Sequence, residues 1–159
     1  MTTSNQPRLH SLKPRQMTAE ESCHSLTLES CQAAIGEASI WVRRLAAQYG
    51  VDAERAENLD LCANELVSNI VDYAYAGVHG KISLELNFGA ESVKLVVVDA
   101  GPAFNPLEFP TPDLPGSLET AKIGGFGIHL VRKLVDGCCY ERHNNHNRLT
   151  LCFGVCARL

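Results

Sequence analysis

Three short stretches of this chain hold side chains and glycines that could do chemistry together. In Glu65-Leu66-Val67-Ser68-Asn69-Ile70-Val71-Asp72, the polar residues Glu65, Asn69 and Asp72 stand at i, i+4 and i+7, one stripe of a helix. The segment is otherwise apolar, so these groups border its buried face. An amide oxygen at Asn69 suits Mg²⁺, which takes few protein ligands and fills its shell from phosphates and water. A carboxylate one turn earlier, Glu65, could accept a proton from an attacking hydroxyl or water. The same spacing also describes a solvated stripe, or an Asn satisfied by a nearby loop.

The second stretch, Asp99-Ala100-Gly101-Pro102-Ala103-Phe104-Asn105-Pro106, follows an apolar run. A carboxylate there can accept a hydrogen bond from an exocyclic amine such as that of adenine, and Gly101 leaves room for a ring. It can equally be a turn whose Asp caps its own backbone. The third, Gly124-Gly125-Phe126-Gly127-Ile128-His129-Leu130-Val131, is a glycine-rich turn opening a periodic segment. Unpaired N–H groups and partial positive charge at a helix start suit phosphate, although such a turn is also common without a ligand.

The elements that must position these stretches follow from periodicity. Ser25–Ser30 alternates as a short strand. Ala34, Ala38, Trp41, Leu45 and Tyr49 recur at helical spacing, with Gly50 at the C-cap. Asp52 can cap a second helix whose buried stripe is Leu59, Ala63, Leu66, Ile70 and Tyr73, broken by Gly77 and Gly80. Lys81–Phe88 alternates strictly, and Val93–Val98 is a more continuously apolar strand ending at Asp99. Five prolines mark 100–123 as a long functional loop. A helix from Gly127 to about Asp136 and a hairpin of Cys138–Arg142 with Arg148–Cys156 complete the chain. This order predicts an α/β two-layer sandwich, with a mixed, mostly antiparallel sheet and helices on one face. The absence of GxxxxGK[ST] and of strict strand–helix alternation sets aside the P-loop and doubly wound architectures.

The 159 residues suit one domain, with 24–159 as the folded unit and 1–23, rich in Ser, Thr, Gln, Pro and charge, as a disordered arm. A net charge of −4 advertises no basic surface, so no direct nucleic-acid partner is expected. No secretory signal or long apolar run is visible, so no membrane association and a cytoplasmic location are expected. The seven cysteines lack CxxC spacing and are read as buried thiols.

Taken in order, Glu65-x-x-x-Asn69, Asp99-x-Gly101-x-x-Phe104 and Gly124-Gly125-Phe126-Gly127-Ile128 resemble the motifs of the Bergerat-fold (histidine-kinase-like) ATPases. Within them the chain is most similar to bacterial anti-sigma-factor serine/threonine kinases, across about residues 24–157. The resemblance implies ATP and Mg²⁺ as cofactors and assigns roles residue by residue. Asn69 would ligate Mg²⁺, Asp99 would bind the adenine amino group, and Gly101 would flank the ring. Gly125 and Gly127 would offer N–H groups to phosphate, with Gly124, Phe126 and Ile128 in the same box. Tyr73 and Phe104 would belong to the nucleotide site. Glu65 would be the catalytic base, 105–123 the ATP lid, and Lys122 a lid cation reaching the terminal phosphate. Tyr73 stands where many relatives carry His or Lys. The implied function is phosphorylation of a serine on an anti-anti-sigma (STAS) protein, with a sigma factor as a second partner and homodimerisation expected from resemblance alone. The alternative is a non-catalytic module that uses ATP to sequester a regulator.

Overall fold

A computed structural model describes residues 22–75, 79–108 and 126–154. The described elements run in the order β1 (Ser22–Glu29), α1 (Ala33–Gln48), α2 (Ala53–Asn69), β2 (Lys81–Phe88), β3 (Ser92–Asp99), α3 (Phe126–Leu134), β4 (Gly137–His143) and β5 (His146–Gly154). A π-helical turn, Ile70–Ala74, extends α2, and a 3₁₀ turn spans Pro106–Glu108. The five strands form one sheet in the order β1-β2-β3-β5-β4. All four pairings are antiparallel. The expected mixture with parallel pairs is therefore corrected. The connection carrying α1 and α2 returns β2 against β1, short turns join β2 to β3 and β4 to β5, and the crossover carrying α3 leads to β4 on the far side of β5.

The strict alternation of β2 translates directly into burial. Ile82, Leu84, Leu86 and Phe88 are buried while the intervening residues are not. Register carries the same row across β3 and β5, pairing Leu84 with Val97, Leu86 with Leu95, Leu95 with Leu151 and Val97 with Leu149. Against this face lie Ala38, Val42 and Leu45 of α1, Leu59, Ala63 and Leu66 of α2, and Ile128 and Val131 of α3, in one continuous core. The continuously apolar β3 buries Val96 on the opposite face as well. Among the described residues, no helix is long and apolar enough to cross a membrane.

Local signals set the helix ends. Asp52 caps α2, its carboxylate accepting from the Arg55 N–H at 2.9 Å. Gly50, at φ +65°, ends the preceding turn in the left-handed region. Three expectations need correction here. Tyr49 is not on the buried stripe of α1; it is the C-cap residue, stacked on Phe88 at 4.2 Å between ring centroids. Tyr73 is 65% exposed, because the π-helical turn after Asn69 shifts the phase of the stripe and rotates it outward. The first strand begins at Ser22, so Ser22 and Cys23, assigned to the arm, pair with Phe88 and Asn87.

The cysteines are also less uniform than expected. Cys62 and Cys152 are buried, Cys138 and Cys139 half-buried, and Cys23 and Cys31 exposed. Cys152 is disulfide-bonded, against the reading of all seven as free thiols.

Candidate functional site: a cavity between two helices and the end of the sheet

One cavity of about 520 Å³ opens where the C-terminal end of α2, the end of β3 and the start of α3 converge. Its size lies within the roughly 300–1,000 Å³ usual for small-molecule sites. Asn69, Tyr73, Asp99, Phe104 and Ile128, all singled out in the sequence, line it. Val97, Leu149 and Ile70 give it an apolar wall.

The polar end of the cavity is built on Asp99. The residue is only 7% exposed. Oδ1 accepts from the Gly101 N–H at 2.8 Å and from Asn147 Nδ2 at 2.9 Å. Gly101 has a role in closing the loop. A Cβ there would stand 2.8 Å from both Ala74 Cβ and Asp99 Oδ1, so the missing side chain lets the loop close onto the π-helical turn. Tyr75 ties the same pieces together: its hydroxyl donates to the Lys81 carbonyl at 2.8 Å and accepts from the Ala100 N–H at 2.9 Å. Its ring lies against Gly80, where any Cβ would collide with it.

Asn69 closes α2. Its Nδ2 is buried without a hydrogen-bond partner among the described residues. An orphaned amide at a cavity wall is a group held ready for a ligand. No cluster of three or more His, Cys, Asp or Glu side chains forms a metal cage among the described residues. The unpartnered Nδ2 is a donor and would face an anionic group, while the single amide oxygen of Asn69 fits Mg²⁺ that brings phosphates and waters with it, and not a dedicated protein-only site.

Glu65 lies one turn before Asn69 and meets α3. Its carboxylate is packed on Gly127 so closely that a methyl group at 127 would run into it. Gly127 belongs to the first turn of α3, whose N–H groups have no intrahelical partners. A carboxylate at this positive helix end is electrostatically favoured. The Glu65 charge also acts on Cys62: burial, with a further push from Glu65, raises that thiol to about 12.

Lys122, Gly124 and Gly125 lie outside the described residues, as does most of the loop expected to be the lid. Phe126 is the first residue of α3. The start of the loop is held by Asn105, whose side chain accepts from the Leu107 N–H at 3.0 Å, and by the buried Pro106.

Asn147 escaped the sequence reading. The Asn144-Asn145 pair forms a two-residue turn with φ of 49° and 61°, the positive values of a type I′ hairpin. That turn makes His143 pair with His146, and so sets Arg142 opposite Asn147 and Asn147 opposite Asp99. Strands bounded at Cys138–Arg142 and Arg148–Cys156 place residues 143–147 between them. A hairpin reading of Asn144-Asn145 would have carried β5 back to Asn147 and into the site.

The fold is a two-layer α/β sandwich with a cavity of small-molecule size at one end of its sheet. The family of histidine kinase-like ATPase domains matches residues 28–153. The chain belongs to that family, in its serine/threonine-protein-kinase branch. It is 34% identical over 116 residues to the serine/threonine-protein kinase BtrW of Bordetella bronchiseptica, covering 72% of this chain and 82% of that protein. It is 28% identical over 97 residues to the serine-protein kinase RsbW of Listeria monocytogenes, covering 58% and 62% respectively. The fold is similar to that in a crystal structure of the RsbU and RsbW domains of Rv1364c from Mycobacterium tuberculosis. The TM-score is 0.59 at 18% identity, over 84% of this chain and 32% of that one.

Proposed function

We propose that this chain is an anti-sigma regulatory kinase that transfers the γ-phosphoryl group of ATP to a serine of an anti-anti-sigma (STAS) protein. The relatives named as serine/threonine- and serine-protein kinases support the reaction class, and the resemblance of the three motifs to anti-sigma-factor kinases suggests the regulatory substrate. The observation that carries the reading is the contact of the Glu65 carboxylate with Gly127, where a proton acceptor meets a helix start suited to phosphate.

In this reading Asp99 Oδ2 accepts a hydrogen bond from the adenine amino group, and the apolar wall holds the ring. Asn69 is the side chain that would hold Mg²⁺, which would neutralise phosphate charge when bound. The first-turn N–H groups of α3 steady the phosphates, and Lys122 is assigned the terminal one. The serine oxygen forms its bond to the γ-phosphorus as the bond to the β–γ bridging oxygen breaks and ADP leaves. Glu65 takes the serine proton. The catalytic gain comes from positioning and charge neutralisation, with little covalent work by the protein.

Phosphorylation would add charge to the substrate's interface and release it. A sigma factor is the second partner under this reading, and the protein works as a homodimer in the cytoplasm. Incubation with Mg·ATP labelled at the γ position and the cognate STAS protein should place label on a serine of that protein. ATP binding without transfer to that partner would instead leave a module that sequesters its regulator.

A further inference from the structure

Asn147 is 6% exposed and makes more hydrogen bonds than any other side chain around the cavity among the described residues. Its Oδ1 accepts from Arg142 Nη1 at 2.7 Å, the Tyr140 hydroxyl at 2.8 Å and the Phe104 N–H at 3.3 Å. Its Nδ2 donates to Asp99 Oδ1 and to the Pro102 carbonyl, both at 2.9 Å. An Asn side chain can face two ways, and the network decides between them. Guanidinium and backbone N–H groups only donate, so the side facing Arg142 and Phe104 must be the oxygen. The side facing Asp99 must then be the NH₂.

This fixed orientation has a consequence for Asp99. Its Oδ1 receives two donors, from Gly101 and Asn147. The carboxylate cannot turn without breaking both bonds. Its other oxygen, Oδ2, has no partner among the described residues, and Asp99 lines the cavity. The group offered there is an acceptor held in one direction. An acceptor pairs with the exocyclic NH₂ of adenine and repels the carbonyl oxygen at the same position of guanine. Arg142 and Asn147 also hold the Gly101 and Pro102 carbonyls, at 3.1 and 2.9 Å, so the loop that shapes the rim is tied to the same hub.

We propose that Asn147 is a positioning residue that sets base selectivity. Held by Arg142, Tyr140 and the Phe104 N–H, it orients Asp99 so that the cavity accepts an aminopurine nucleotide and rejects a 6-oxopurine one. The proposal rests on the reading of the cavity as an adenine-nucleotide site. It does not require that the bound nucleotide be turned over.

Calorimetric affinities for ATP, GTP and inorganic tripolyphosphate, measured on the full chain, test it. The wild type should prefer ATP over GTP. Asn147→Ala should reduce that preference at least about tenfold, the scale of one charge-assisted hydrogen bond, while tripolyphosphate affinity holds. Unchanged preference in a folded Asn147→Ala protein would overturn the proposal. So would a matching loss of tripolyphosphate affinity, which would mark general damage to the site. If Asn147→Ala fails to fold, Tyr140→Phe combined with Arg142→Met decides. Removal of those two donors should blunt the ATP preference, and retention of it overturns the proposal. A wild type that binds ATP and GTP equally also overturns it. A wild type that binds no adenine nucleotide removes the underlying reading of the cavity, a failure distinct from the others.

Discussion

The carboxylate of Glu65 on α2 rests directly against Gly127 in the first turn of α3, and a methyl group at 127 would strike it. The colliding atom is the tip of a flexible side chain, so the fold can accommodate Gly127→Ala by moving Glu65. Alanine also suits a helix better than glycine, by up to about 1 kcal/mol. Gly127→Ala should therefore unfold at the same or slightly higher denaturant while phosphoryl transfer falls, on the order of 10–100-fold for a displaced base. Chemical denaturation together with a transfer assay separates the two effects. Unchanged transfer would mean that the contact does not position Glu65 for the reaction.

Asp99→Asn replaces an acceptor with a mixed group whose oxygen is claimed by Gly101 and Asn147. The side facing the cavity becomes a donor. ATP affinity should fall by about 1.5–3 kcal/mol, as for the loss of a hydrogen bond to a charged group. Isothermal calorimetry reads this directly, and unchanged affinity would remove Asp99 from the nucleotide site.

Tyr75→Phe deletes a hydroxyl that bridges the Lys81 carbonyl and the Ala100 N–H. The cost in stability should be about 1 kcal/mol. Because Ala100 adjoins Asp99, ATP affinity should weaken along with it, by a few-fold. A variant that loses stability yet binds ATP as before would show that the strut supports the fold and not the site.

What the sequence could and could not reveal about this site has physical causes. The alternation of Lys81–Phe88 and the cap at Asp52 are local signals, and both strand and helix follow them. Glu65 and Asn69 were visible because a helix converts spacing into a shared face. Asn147 was not, because its role depends on register across β3, β5 and β4, which no local period encodes. The turn that sets this register uses Asn144-Asn145, a weaker signal than Asn-Gly. Tyr73 was misplaced because a π-helical turn changes the residues per turn just past Asn69. The buried Asp60, held by Arg43 at 2.6 Å, was likewise hidden, since a carboxylate on a helix reads as a solvated one until its partner is known.

Cys62 gives a pH signature. Its thiol rises from 9.0 to about 12 in the folded protein, from burial first and the Glu65 charge second. Between these values the unfolded chain has lost the proton and the folded one keeps it, so stability falls as pH rises. The slope from this group should reach at most about 1.4 kcal/mol per pH unit and vanish below pH 9. Cys62→Ala should be less stable at neutral pH from the lost packing, but its stability should decline less steeply in alkali. Denaturation at several pH values checks this, and equal alkaline slopes would contradict it.

The central claim is that Glu65 takes the proton from a serine while ATP is held in the cavity. Its most direct test is the rate of phosphoserine formation on the cognate STAS protein by Glu65→Gln at saturating Mg·ATP. The rate should fall by about 10²-fold or more, with ATP affinity preserved. Transfer at the wild-type rate would contradict the account.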